Sequence, residues 1–139
     1  MKNSAPEVFE EVEHTADAAL RVYGQDWGEF LANAALGMFS LVADWEDMQP
    51  LTERSVSLQA MDGETLLVDW LSELLYLHEM EDVVYTSFEI LSASENRLRA
   101  VVKGTENWSP RTAIKAVTFN DLRIEKTPEG YAATIVFDT

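Results

Sequence analysis

Hydrophobic and polar residues alternate along several short stretches of the chain, which is the pattern of half-buried β-strands. In residues 54–61, for example, Val56, Leu58 and Ala60 alternate with serines and a glutamine. The same pattern predicts strands at residues 8–13, 18–23, 54–61, 83–91, 97–103, 114–125 and 131–137, the sixth with a break at Asn120-Asp121. Most of these stretches follow one another directly.

Two longer stretches have apolar residues at the spacing of one helix face. The first runs from Trp27 to Val42, and Asp26 with Glu29 has the arrangement of an N-terminal capping box. The second covers residues 64–80 and is rich in leucine. Residues 44–50 between the first helix and the third strand are mainly polar and predict an irregular connection.

Because strands outnumber helices and seldom alternate with them, the pattern predicts an α+β fold. We expect a two-layer sandwich with an antiparallel or mixed sheet of about six or seven strands and two main helices on one side. A length of 139 residues predicts a single domain over residues 1–139.

The charge of the chain narrows its range of partners. Twenty-five acidic and ten basic residues give a formal net charge of −15, which repels nucleic-acid phosphates and anionic membranes. Metal cations and basic protein surfaces are attracted instead, although the same charge is also typical of a protein that is simply very soluble. No apolar run reaches membrane-spanning length and the N-terminus lacks a signal-peptide core, so the predicted location is the cytoplasm.

Residues for nucleophilic or phosphate-binding chemistry are scarce. The chain has no cysteine, no Gly-x-Ser-x-Gly elbow and no glycine-rich phosphate loop. Of its two histidines, His78 lies at the end of the second predicted helix, and this position indicates a surface or capping role. His14 lies in a predicted loop beside Asp17, where an imidazole can brace a turn.

Carboxylates are the remaining candidates for chemistry. Asp69 and Glu73 lie four residues apart on the polar face of the second helix and are interpreted as solvated. The cluster of Asp44, Glu46 and Asp47 lacks the spacing of an EF-hand loop.

Asp17 and the end of the chain form a third group of oxygen ligands. If the last strand lies beside the first two, Asp138 and the terminal carboxylate of Thr139 would converge with Asp17. Such a set suits a hard cation such as calcium or magnesium. On spacing alone, the interpretation of these residues as ordinary surface groups stays open.

The chain also resembles the archease family in ordered blocks that cover nearly its whole length. These blocks are FEEVEHTADAALRVYG at residues 9–24, NAALGMF at 33–39, ETLLVDWLSELLY at 64–76, IKAVT at 114–118 and VFDT at 136–139. The His-Thr-Ala-Asp motif and an aspartate one residue before the end are specific when they occur together.

This resemblance implies an accessory protein, not an enzyme. Archeases promote guanylylation and multiple turnover of the GTP-dependent tRNA-splicing RNA ligase. The implied metal ligands are Asp17, Asp138 and Thr139, with calcium as the expected cation and magnesium or manganese as alternatives. Lys115 and His14 match positions implied in activation of the ligase. The implied fold agrees with the α+β prediction.

Three departures from the family pattern stand out. Phe119-Asn120 replaces the commoner Tyr-His, so an imidazole and a phenol are missing there. Thr139 replaces a common isoleucine, and its terminal oxygens would still serve a metal. Residues 104–112 match weakly and lack a histidine that is often seen there.

Two other functions stay open at this stage. One is a metal-dependent phosphoester hydrolase that uses Asp17, Asp138 and His14. The other is a metal-free protein-binding chaperone module. In each case we expect a monomer or weak homo-oligomer that does not bind nucleic acid tightly or associate with membranes.

Overall fold

The computed structural model describes residues 8–12, 18–46, 49–50 and 52–139. Within these residues the chain forms ten strands and two helices. In chain order they are β1 (Phe9–Val12), β2 (Ala18–Gly24), α1 (Trp27–Val42), β3 (Ala43–Trp45), β4 (Thr52–Gln59), α2 (Gly63–Glu81), β5 (Val84–Ser94), β6 (Arg97–Thr105), β7 (Trp108–Pro110), β8 (Ala116–Val117), β9 (Glu125–Thr127) and β10 (Gly130–Asp138).

The described strands form three antiparallel sheets. A five-stranded sheet has the order β1-β2-β10-β8 with β9 also paired to β10, a three-stranded sheet has the order β4-β6-β5, and β3 pairs with β7. The α+β class and the two helices are therefore confirmed. The closing strand does lie beside the first two, since Phe137 is opposite Ala18.

Helix α1 lies between the two large sheets and packs against β2 and β5. The Asp26 side chain accepts a hydrogen bond of 2.8 Å from the Glu29 N–H, which confirms the predicted N-cap. The buried face of α1 includes Phe30, Leu31 and Phe39. Burial of this face in the core joins the sheets into one hydrophobic cluster.

Helix α2 begins after a second aspartate cap, because the Asp62 side chain accepts a hydrogen bond of 2.8 Å from the Thr65 N–H. It ends at Asp82, which adopts the left-handed conformation with a φ of 56°. The indole N–H of the buried Trp70 donates to the Leu31 carbonyl oxygen at 2.9 Å. This bond ties α2 to α1.

The structure differs from the sequence prediction in the short strands. The predicted strand over residues 114–125 is wrong for most of its length, because only β8 and the first residue of β9 are extended. The predicted break at Asn120-Asp121 is confirmed, since both residues lie in a turn in which Asp121 has a φ of 53°. Strand β3 lies where the sequence predicted the start of an irregular connection at residues 44–50. Strand β7 was not predicted. Two- and three-residue strands show no measurable alternation, so the described residues form ten strands in three sheets where the sequence predicted six or seven strands in one sheet.

Three polar side chains, the exposed Arg54, the half-buried Glu81 and the buried Tyr85, link α2 to the three-stranded sheet. Arg54 of β4 forms an ion pair with Glu81, and the Tyr85 hydroxyl donates to the same carboxylate at 3.0 Å. The guanidinium hydrogen bond lowers the pKa of Glu81 below its ordinary value. Burial, together with the hydrogen bond to Glu81, raises the pKa of Tyr85 to about 12.

This ion pair predicts an acid-dependent stability. A carboxyl group whose pKa is lowered by folding stabilises the protein above its unfolded pKa, and that contribution disappears as the pH falls through the folded value. We expect Glu81→Gln to be less stable than wild type at neutral pH. The gap should narrow below about pH 4, near the unfolded pKa of glutamate. Urea unfolding of both proteins across this range checks the expectation, and a gap that is constant with pH would contradict it.

Candidate functional site

The candidate site lies at the carboxyl end of β10. Phe137 is fully buried in the core, whereas Asp138 and Thr139 after it are exposed. The buried ring anchors the strand, so the next two residues are held at the end of the sheet. Because Phe137 pairs with Ala18, the start of β2 lies directly beside the chain end. Asp17 and His14 lie outside the described residues.

The segment that carries Lys115 joins the same end of the sheet. The Lys115 N–H donates a hydrogen bond of 2.8 Å to the Asp138 carbonyl oxygen, and Ala116 is opposite Asp138 in the β8–β10 pair. Ile114 and Val117 on either side are buried and fix this segment to the core. The Lys115 side chain is exposed. The structure therefore places Lys115 next to Asp138, and the contact between them is a hydrogen bond of the two backbones.

The oxygens at the chain end have the chemistry of a hard-cation site. Asp138 offers a carboxylate and Thr139 the terminal carboxylate, and such oxygens are the ligands that Ca²⁺ and Mg²⁺ take. Among the described residues, no group of three or more His, Cys, Asp and Glu side chains is close enough to hold a metal ion. Asp17, the third predicted ligand, is not among them, so the predicted triad stays a prediction.

The carboxylates that were interpreted as solvated are on the surface. Asp69 is exposed and Glu73 half-buried on α2, while Asp44 and Glu46 are exposed beside β3. Asp44 lies 4.0 Å from Arg111, measured between Oδ1 and Nε. Asp47 of the same predicted cluster lies outside the described residues.

The remaining singled-out side chains have structural surroundings. The His78 ring nitrogen Nδ1 is 2.9 Å from the Val83 carbonyl oxygen, and the ring packs near Phe39 and Trp108. This arrangement confirms a role at the helix end. Phe119 is exposed, and the Asn120 N–H donates to the Thr118 hydroxyl at 3.2 Å in a turn.

One face of the five-stranded sheet is a feature that could not be recognised from the sequence. We call this the outer face; it is the side that faces away from α1. Its residues are Glu10 and Val12 of β1, Ala19, Arg21 and Tyr23 of β2, and Ala132, Thr134, Val136 and Asp138 of β10, as the pairing register and strand alternation require. The alternation in β2 and β10 was visible in the sequence, but it did not show which side α1 covers.

Membrane insertion through a helix has no support in the described residues, because neither helix there combines the length and the apolar character that a span requires.

Comparison with known proteins places the chain among relatives of its own size. The sequence profile of the Archease protein family (MTH1598/TM1083) matches residues 9–139. The protein archease of Methanosarcina mazei is 43% identical over 139 residues, which is 94% of each chain. That of Thermococcus gammatolerans is 38% identical over 129 residues, covering 88% of this chain and 91% of its own.

Two solved structures share the fold. The solution structure of Methanobacterium thermoautotrophicum protein 1598 superposes with a TM-score of 0.80 at 31% identity, covering 96% of this chain and all of the other. The crystal structure from Thermotoga maritima, described as an archease and possible chaperone, gives a TM-score of 0.68 at 21% identity, covering 94% and 96% of the two chains. The chain thus belongs to the archease family.

Proposed function

We propose that this protein is an accessory factor of a GTP-dependent tRNA-splicing RNA ligase and promotes guanylylation and repeated turnover of that enzyme. Family membership supports this role. The observation that carries it is the pairing of Phe137 with Ala18. This pairing puts Asp138 and Thr139 at the end of the sheet beside Ala18, the residue that follows Asp17 in the sequence.

The proposed site includes a divalent cation of the calcium type, held by Asp17, Asp138 and Thr139. The exposed oxygens of Asp138 and Thr139 fit such an ion in kind, because hard cations prefer carboxylate and carbonyl ligands. A bound cation would supply positive charge at a surface that otherwise carries acids. The main-chain oxygen of Asp138 already accepts the Lys115 N–H, so the Asp138 side chain is left to serve as ligand.

Lys115 is proposed to contact the ligase or its nucleotide. Its ammonium group is exposed and the backbone on both sides of it is anchored in the core. An ammonium group in a fixed position can pair with a phosphate or carboxylate of a partner. The net charge of −15 favours approach to a basic, RNA-binding enzyme and opposes tight binding of RNA by the protein itself.

The direct test measures the rate of ligase guanylylation with GTP in the presence and absence of the purified protein. We expect a faster reaction with the protein, and a chelator pretreatment of the protein should reduce the gain. Calorimetric titration with calcium measures the cation site separately. An unchanged guanylylation rate would contradict the accessory function. Phosphoester hydrolysis by the protein alone would favour the hydrolase alternative.

Lys115→Ala is expected to weaken this stimulation by about tenfold, the usual order for the loss of a charged contact of roughly 1.4 kcal/mol. The backbone N–H that bonds Asp138 is retained in the variant, so the fold should be unaffected. Lys126→Ala removes the same charge from the exposed strand β9 and is the matched control. Equal losses in the two variants would indicate a general charge effect and would remove the specific role of Lys115.

A further inference from the structure

The outer face of the five-stranded sheet has an unusual concentration of apolar side chains. Val8, next to this face, is 38% exposed, as is Val12, and Tyr23 is 40% exposed. Backbone bonding places Val8 beside Tyr23, since the Tyr23 N–H donates to the Val8 carbonyl oxygen at 3.0 Å. The other large exposed apolar residues of the described chain, such as Met61, Tyr76 and Leu91, lie on other elements. Val8 and Tyr23 thus form an exposed apolar patch at the Gly24 end of the face, the kind of feature that binds partners, whereas Val12 lies four residues from Val8 with Glu10 between them.

No other described element covers this patch. Helix α1 packs on the opposite side of the sheet, where Leu20, Val22 and Ile135 are part of the core cluster. At the Gly24 end of the face lies a groove of about 710 Å³. Its lining includes the apolar residues Val8, Tyr23 and Ala132, the acids Glu10, Glu29 and Glu129, and Arg21. The groove is large enough for one or two side chains of a partner.

This face carries the acids Glu10 and Asp138, and Glu29 and Glu129 also line the groove. Its one arginine, Arg21, is held within the sheet: it bonds to the Thr134 hydroxyl at 3.2 Å, lies 3.5 Å from a Glu125 oxygen and stacks over the Tyr23 ring. Its charge is therefore already matched. Neither Glu10 nor Glu129 forms an ion pair within the described part of the chain. A groove lined by apolar residues and unpaired acids is complementary to an apolar side chain between lysines or arginines.

The groove and the proposed site lie along the same strand. Ala132 lines the groove and Asp138 lies six residues further along β10, on the same face. The separation is about 20 Å at 3.3 Å per residue. Ala19 and Val136, which lie on this face between the two places, are buried, so the groove and the chain end are separate accessible surfaces.

We infer that the outer face docks a protein segment in which basic residues flank an apolar side chain, with Tyr23 as its central contact. That the ligase supplies this segment rests on the proposed function. The chemistry of the segment is inferred from the outer face alone. A single buried aromatic contact commonly dominates the affinity of such surfaces.

The test uses wild type and two matched pairs of variants. Wild type is the reference; Tyr23→Ala is matched by Tyr76→Ala, an exposed tyrosine of α2. Glu10→Lys with Glu129→Lys is matched by Asp69→Lys with Glu73→Lys, which makes the same change of charge on α2. Circular dichroism first verifies that each variant is folded. Each protein is then titrated with an alternating arginine–valine octapeptide, followed by NMR shifts, and separately with the purified ligase.

The peptide titration tests, in the absence of the ligase, whether the outer face is a docking surface. We expect shifts confined to β1, β2 and β10, a loss of affinity of about tenfold or more in Tyr23→Ala and in the Glu10/Glu129 variant, and little change in their controls. No binding, shifts spread over the whole protein, or equal losses in the control variants would overturn the inference.

The ligase titration tests whether the ligase supplies the docked segment. We expect the variants to lose affinity for the ligase in the same order as for the peptide. If the ligase fails to bind wild type while the peptide binds the outer face, the proposed function fails and the docking surface stands. If the ligase binds all variants alike and the peptide does not bind, the docking surface fails and the accessory function stands.

Discussion

Asp138→Asn is expected to remove most of the stimulation that the protein gives to ligase guanylylation, a decrease of about 10- to 100-fold in the gain. The substitution keeps the size of the side chain and one oxygen but removes the negative charge that a divalent cation requires. Asp138 is exposed and its backbone bond to Lys115 is unaffected, so the loss should not come from unfolding.

Asp69→Asn provides the matched control for this substitution. It makes the same chemical change at an exposed position of α2, away from the chain end. Calorimetric titration with calcium should show weaker binding in Asp138→Asn and an unchanged titration in Asp69→Asn. If Asp138→Asn stimulates the ligase as well as wild type does, the metal-site mechanism has to be abandoned, although an accessory function through the outer face would remain open.

Trp70→Ala is expected to cost about 3–5 kcal/mol of the free energy of unfolding, the largest effect on stability that we predict for one side chain. Trp70 is fully buried, contacts Phe88 edge to face, and bonds the Leu31 carbonyl oxygen. Its removal leaves a cavity between the helices and the three-stranded sheet and an unpaired acceptor on α1. The loss is large against a total of about 5–15 kcal/mol for a domain.

Trp70→Phe separates the two parts of this cost. Phenylalanine retains much of the apolar volume but cannot donate to Leu31, so we expect a loss of about 1–3 kcal/mol in addition to a small packing term. Urea unfolding measures both variants, with an unchanged dependence on urea concentration as the sign that the same structure unfolds. A loss below about 1 kcal/mol in Trp70→Ala would show that α1 and α2 do not depend on this contact.

Long periodic segments made much of this fold predictable from the sequence. The apolar spacing in residues 27–42 and the Asp26 cap defined α1 correctly. The shorter pieces were not predictable, because their extended form depends on a partner strand and not on their own pattern. Trp108 and Pro110 are extended only because they pair with Trp45 and Ala43 of β3. Conversely, residues 118–124 alternate in part, but past Thr118 they leave β10 and form a turn.

The candidate site also has features that the sequence predicted and features that it did not. The hydrophobic pattern of residues 131–137 predicted the last strand but not its neighbour; its position beside the second strand was an assumption, which the pairing of Phe137 with Ala18 confirms. The contact between Lys115 and Asp138 did not follow, since it depends on a strand of two residues. The outer face was hidden for another reason. A period of two in β2 separates Tyr23 from Val22, but only the packing of α1 shows which of them is left exposed.

The central claim is that this protein serves the turnover of an RNA ligase. The number of RNA ligation products formed per ligase molecule, measured with limiting ligase and excess RNA and GTP, tests it most directly. The account predicts that this number rises well above one when wild-type protein is present and stays low with Asp138→Asn. A product number that is the same with and without the wild-type protein would contradict the account.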